Sequence, residues 1–220
     1  MIDKSAPPRR QVSHLRIFAA AAAGVIVAVL AGIYGIGRLQ RNPAAGRCKG
    51  ALATAFRIAP LARGEVAALI VTHTPFRVPD LTFKDAAGRT RMIEQWRGRT
   101  VLLNLWATWC VPCRREIPAL DALEAQLGGP HFEVVAVNID TGDPNKPRAF
   151  LSKVGATHLA YYADDSAKVF QELKMAGRAF GLPTTLLVGR SGCEIGEMAG
   201  PAAWASDDAI KLLRAALGTT

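Results

Sequence analysis

At 220 residues and 50% hydrophobic content, the chain is too apolar for extensive disorder and long enough for one full domain with extensions. Its formal charge of +9 falls to +6 once residues 1–37 are set aside, where Lys4, Arg9, Arg10 and Arg16 stand against Asp3. No cluster of lysine or arginine is interleaved with aromatic residues, so the excess reads as a solvated basic surface and not as a nucleic-acid interface.

Residues 17–37 form an uncharged apolar run between Arg16 and Arg38. As a helix it would be about 31 Å long, enough to cross the hydrocarbon core of a bilayer. It exceeds the roughly 7–15 apolar residues of a cleavable signal, and no clear A-x-A site follows. The expectation is an uncleaved single-pass anchor behind a cytoplasmic tail at 1–16, with cleavage near Ala44-Ala45 as the alternative. The positive-inside rule is tied, because Arg38, Arg41, Arg47 and Lys49 match the four cations ahead of the run. The short tail and the cysteine usage discussed below place the large domain outside the cytoplasm. Ala20, Gly24, Ala28 and Gly32 make a small-residue stripe that either lets two such helices approach or reflects the abundance of alanine and glycine.

Residues 38–74 read as a linker and an N-terminal helical extension. Pro43, Gly46 and Gly50 mark the linker; the apolar segments 51–58 and 65–71 both look helical and are separated by Pro60 and Gly64. The main domain, 75–220, opens with a turn at Pro75 and Pro79. A hairpin follows, 81–83 and 90–92 about the Asp85 to Gly88 turn, and then a helical turn at 93–96. Beyond it strand and helix alternate. Strands are expected at 101–106, 132–139, 184–188 and 193–198, a short extended segment at 158–162, and helices at 111–127, 147–154, 166–173 and 205–217. Pro118, lacking the N–H for an interior hydrogen bond, should kink the first helix. Such alternation, closing in a hairpin and a helix, implies an α/β domain with helices on both faces of a sheet.

The chemistry is concentrated at Trp106-Ala107-Thr108-Trp109-Cys110-Val111-Pro112-Cys113, where an apolar strand gives way to helical spacing. Cys110 falls at a helix N-terminus, where unpaired backbone N–H groups and the helix dipole favour a thiolate over a thiol. A lone close pair of cysteines reads as redox. Structural zinc would want a second pair or suitably spaced histidines, whereas His14, His73, His131 and His158 are scattered, and Arg114 stands where covalent haem attachment needs histidine. No metal site and no cofactor beyond a redox-active Cys110–Cys113 disulfide is expected.

The stretch Asn104 to Pro118, with Gly181-Leu182-Pro183-Thr184-Thr185 about seventy residues later, resembles the membrane-anchored thioredoxin-like proteins of the TlpA/ResA-like family over roughly residues 75–220. The resemblance implies a thioredoxin-like fold, a central mixed sheet flanked by helices, with an N-terminal extension and a core insertion. It also implies a domain facing the periplasm from the bacterial inner membrane and reducing specific protein disulfides. Its partners would be a membrane thiol transporter as electron donor and, as clients, a copper chaperone and cytochrome oxidase subunit II, whose ligand cysteines must be reduced before copper enters.

Carried over by position, the resemblance makes Cys110 the nucleophile and Cys113 the resolving thiol, three residues being the spacing that brings both sulfurs within bonding reach on one helix face. Pro183 corresponds to a cis-proline packed against the disulfide, leaving the main chain of Leu182 free to pair with substrate. Trp109, Val111, Pro112 and Leu182 then form an apolar contact surface rimmed by Arg114 and Arg115. Two readings fit Glu116: a shielded carboxylate that relays the resolving thiol's proton, or an exposed side chain favouring an early helix turn. Asn104 stands where thioredoxin has a buried aspartate and cannot act as a base, which leaves Glu116 as the candidate. Val-Pro between the cysteines places no cation near the thiolate and points to a reductant; a disulfide oxidase or isomerase, or a Cu(I)-delivery module using both thiolates, are the alternatives.

Cys48 and Cys193 are 145 residues apart. Either they bridge, pinning the extension to the sheet in an oxidising compartment, or they are two independent buried thiols.

Overall fold

The computed structural model describes residues 46–219. The expected tail, anchor, small-residue stripe and first part of the linker lie outside the described residues. Among those described, no helix is long and apolar enough to cross a membrane.

Eight strands make one mixed sheet: β1 Ile70–Val71, β2 Thr82–Asp85, β3 Thr90–Met92, β4 Thr100–Trp106, β5 Phe132–Asn138, β6 Tyr162–Ala163, β7 Thr184–Val188 and β8 Glu194–Ala199. Their order is β1-β8-β7-β4-β5-β6-β2-β3. The β4–β5 and β5–β6 pairs are parallel and the remaining pairs antiparallel. Five α-helices accompany them among the described residues: α1 Lys49–Ile58, α2 Val111–Leu127, α3 Asn145–Lys153, α4 Lys168–Met175 and α5 Asp207–Leu217. This is the thioredoxin-like arrangement of a mixed sheet with helices.

Strand β4 is buried along its whole length because β5 and β7 flank it and both its faces are covered. Its side chains divide between two cores, as a period of two requires. Leu102 and Trp106 join a cluster with Ile117, Leu120 and Leu123 of α2, Leu212 and Leu213 of α5, and Ala55 and Ile58 of α1. Val101, Leu103 and Leu105 join another with Phe83, Trp96, Tyr162 and the Val169 and Leu173 side chains of α4. Asn104 shares the parity of Leu102 and Trp106, and so faces α2.

The extension is only partly helical. Residues 65–71, read as a helix, form a single tight turn at Gly64–Val66, entered through Gly64 at φ +55°, and then the edge strand β1 against β8. Seven residues between helix breakers are too few to sustain an isolated helix, whereas the outer edge of β8 offers ladder partners. Gly50, read as linker, lies inside α1. The extended segment expected at 158–162 shortens to β6, because the N–H groups of His158 and Leu159 donate to the Asp121 carboxylate on α2 at 2.7 and 2.9 Å. Helix α4 begins two residues later than its apolar pattern suggests, Asp164 accepting the N–H groups of Ser166 and Val169 at 3.0 and 2.8 Å. Helix α5 starts behind Ser206, whose hydroxyl accepts from the Ala209 N–H at 3.3 Å. Helix α2 continues through Pro118 to Leu127.

Cys48 and Cys193 form a disulfide, both 1% exposed, that ties the start of α1 to the entrance of β8. Closing a loop of 145 residues removes much of the unfolded chain's freedom. A Cys48→Ala/Cys193→Ala chain is therefore expected to lose about 2–5 kcal/mol of unfolding free energy, read by urea denaturation.

Candidate active site

Strand β4 ends at Trp106 and the chain crosses Ala107 to Trp109 before α2 begins. Cys110 is the N-cap residue of α2, and its Sγ accepts the Cys113 N–H at 3.2 Å. Pro112, which has no N–H to satisfy, occupies the first turn, where the helix leaves such donors free. Cys110 and Cys113 are joined as a disulfide. Their accessibility differs: Cys110 is 6% exposed and Cys113 is fully buried. Cys110 is the more accessible of the two.

The loop before Cys110 is held from β5. Both oxygens of Asp140 accept the Thr108 N–H, at 3.2 and 3.1 Å. Asn138 in turn donates to Asp140 Oδ2 at 3.1 Å and accepts the Asp140 N–H at 3.1 Å. Across the site, the Leu182–Pro183 peptide is cis. The Pro183 carbonyl accepts the Gly200 N–H at 2.9 Å, and the Thr184 hydroxyl donates to the Gly181 carbonyl at 2.7 Å. Trp109 and Val111 are 64% and 52% exposed, Pro112 is exposed, and Leu182 is partly buried. Arg114 lies 5.5 Å over the Phe150 ring, and Arg114 and Arg115 are both exposed.

Glu116 is only 2% exposed, which overturns the reading of an exposed helix-start carboxylate. Its Oε1 accepts from Trp204 Nε1 at 2.6 Å and the Ala202 N–H at 3.0 Å, and its Oε2 accepts from Asn104 Nδ2 at 3.1 Å. Burial raises its pKa from 4.5 to about 7; the three donors pull the other way without undoing that shift. A carboxyl poised near 7, one helical turn from Cys113, is suited to accept and release a proton at neutral pH. Because Trp204 stabilises the charged form, Trp204→Phe is expected to raise the Glu116 midpoint by about one unit, followed by carboxyl ¹³C NMR.

Residues 76–210 match the Redoxin family, a span that contains both the Cys110–Cys113 pair and the Pro183 loop. The chain belongs to the Redoxin family. It is 33% identical over 118 residues to the thiol-disulfide oxidoreductase ResA of Geobacillus thermodenitrificans, which covers 52% of this chain and 62% of that one. It is 35% identical over 105 residues to the thiol:disulfide interchange protein HelX of Rhodobacter capsulatus, covering 47% of this chain and 54% of that one. The thioredoxin-like protein YneN of Bacillus subtilis is 38% identical over 76 residues, 34% of this chain and 44% of its own. The chain thus spans roughly half the length of these curated relatives. Among solved structures, a putative thiol:disulfide interchange protein DsbE from Chlorobium tepidum superposes with a TM-score of 0.56 at 27% identity, over 65% of this chain and 96% of its own. These relatives support the TlpA/ResA-like assignment.

Several groups at this Redoxin site carry no motif. Asp140 follows β5, and only the parallel pairing of β4 with β5 brings it to Thr108. Trp204 lies 88 residues from Glu116. Phe180, 79% exposed, immediately precedes Gly181-Leu182-Pro183; the sequence offered the aromatic beside that motif, but only the fold shows that it is exposed.

Proposed function

We propose that this chain is a membrane-anchored thiol:disulfide oxidoreductase that reduces specific protein disulfides in the periplasm. The observation that carries the activity is the pairing of an outward Cys110 at the start of α2 with a fully buried Cys113 one turn inside. In the reduced protein the Cys110 thiolate attacks one sulfur of a client disulfide, forming a mixed disulfide and expelling the client's other sulfur as a thiolate that takes up a proton. The Cys113 thiol gives its proton to Glu116, and the resulting thiolate attacks Cys110 Sγ. The Cys110–Cys113 disulfide forms, the second client sulfur leaves as thiolate and is protonated, and two electrons have passed to the client. The Asp140 clamp on Thr108 fixes the loop that presents Cys110, and the cis Leu182–Pro183 peptide lines the opposite side.

The apolar run at 17–37 supports anchoring in the inner membrane, and the Cys48–Cys193 disulfide supports an oxidising compartment. Outside the cytoplasm the active pair needs recharging, so a membrane thiol transporter is the electron donor. Family resemblance supports a copper chaperone and cytochrome oxidase subunit II as clients, in copper-centre biogenesis. The surface of Trp109, Val111, Pro112, Leu182 and Phe180, with Arg114 and Arg115 beside it, suits an apolar client segment with acidic surroundings. Equilibration of the full chain with thiol buffers tests the direction of electron flow. A potential near that of thioredoxin, about −270 mV, is the expected result, and one near about −120 mV would make the protein an oxidase.

A further inference from the structure

Asn104 is completely buried on β4, yet only one end of its amide is in use. Nδ2 donates twice, to Glu116 Oε2 at 3.1 Å and to Thr185 Oγ1 at 2.9 Å. Oδ1, also buried, has no hydrogen-bond partner. A buried amide oxygen without a donor is a costly arrangement, and the two ends of an amide are nearly the same size and exchange by a half-turn about χ2. Thr185, directly across the ladder from Asn104, is also completely buried and has a hydroxyl that either accepts or donates.

These contacts suit the ionised carboxylate. A carboxylic acid at Glu116 has a different requirement, because its O–H needs an acceptor. Oε1 already receives Trp204 and Ala202, so Oε2 is the oxygen left for the proton. The side chain facing Oε2 is Asn104, which in its present orientation offers a donor.

We propose that Asn104 is a positioning residue of the proton relay whose amide reverses with the protonation state of Glu116, presenting Nδ2 to the carboxylate and Oδ1 to the carboxylic acid. Thr185 serves both orientations. Its hydroxyl accepts from Nδ2 when Glu116 is ionised and donates to Oδ1 when Glu116 is protonated. In the reversed state Oδ1 gains two donors, the Glu116 O–H and the Thr185 O–H, and Nδ2 takes the unpartnered position. Each protonation state thus leaves one end of the amide unsatisfied, which keeps either from being locked in. The proton received from the Cys113 thiol is held on Oε2 facing Asn104 and is released when the amide turns back.

The surroundings of Glu116 add no competing charge. Strands β4 and β7 bring Asn104 and Thr185, and the 200–204 loop brings the Ala202 N–H and Trp204, all neutral; Cys113 on α2 itself is held in the disulfide. The inference rests on the relay role of Glu116, and the test separates the two. The oxidised full chain in detergent micelles, labelled with ¹⁵N at asparagine side chains and ¹³C at glutamate carboxyls, is titrated by NMR from pH 5 to 9. The Asn104 side-chain amide resonances should shift with the same midpoint as the Glu116 carboxyl, moving toward the position of a free amide as Glu116 becomes protonated. A Glu116→Gln chain offers an N–H donor toward Asn104, and should hold that amide at its low-pH position throughout. An Asn104 amide that stays fixed while the Glu116 carboxyl titrates would overturn the reversal. If instead the amide follows Glu116 but the pH profile of disulfide reduction is the same in Glu116→Gln and wild type, the reversal stands and the relay role fails. As a kinetic check, Asn104→Leu removes both ends of the amide and should move the pH midpoint of reduction upward; an unmoved midpoint would count against Asn104 as a positioning residue.

Discussion

A Cys113→Ser chain is expected to accumulate as a covalent complex with its clients, while a Cys110→Ser chain forms none. The difference follows from accessibility. Cys110, the N-cap of α2, keeps 6% of its surface exposed, whereas Cys113 is fully buried and is expected to meet a client only through Cys110. Removing the outer sulfur removes the attack, and turnover should fall by at least about a thousandfold. Removing the inner sulfur leaves the attack intact and blocks resolution, so turnover falls as far but the mixed disulfide persists. Non-reducing electrophoresis and mass spectrometry of extracts of the native cell read the result and identify the client. Equal trapping by both variants would mean that the roles of the two sulfurs are not distinct.

Glu116→Gln should produce the second large effect, in both rate and stability. With a carboxyl that titrates near 7, the wild-type rate of disulfide reduction rises through neutral pH as the base is unmasked. The glutamine chain has no such base; its rate should be about a hundredfold lower at pH 8 and should lack the inflection. The stability effect has the opposite direction. The folded protein holds this proton more tightly than the unfolded chain, whose glutamate titrates near 4.5, so the stabilisation is complete below pH 4.5 and is lost as pH rises to about 7. A difference from 4.5 to about 7 is worth about 3 kcal/mol. Between pH 4 and pH 8 the wild type should lose that much relative to Glu116→Gln, as read by urea unfolding at each pH. Parallel stability curves would show that the carboxyl is not held apart from water as its burial indicates.

The thiol pair and the alternation of strands and helices were legible because they depend on local spacing. Two cysteines three residues apart at a strand-to-helix change define a nucleophile wherever the rest of the chain goes, and the apolar run of β4 announces a central strand. The proton chemistry was less legible, because burial is a property of the fold. Glu116 looks like an ordinary charged residue in an early helix turn; it is the packing of α2 on β4, together with Trp204 from 88 residues away, that removes it from water. Asn104 could be seen to replace a base, but its orphaned oxygen could not be seen. The same holds for Asp140, whose contact with Thr108 exists only because β4 and β5 lie side by side. The helix expected at 65–71 failed for a related reason: periodicity reports an apolar face but not the free edge of β8 that captures it as a strand.

The most direct test of the mechanism is a count of thiols across one turnover. The full chain, with Cys110 and Cys113 reduced and Cys48–Cys193 intact, is mixed with one equivalent of a protein containing a single accessible disulfide, quenched with a mass-tagged alkylating agent and mapped by mass spectrometry. The mechanism predicts that tags disappear together from Cys110 and Cys113, that two appear on the client, and that Cys48 and Cys193 stay untagged. Persistence of both tags on Cys110 and Cys113 beside an unreduced client would contradict it.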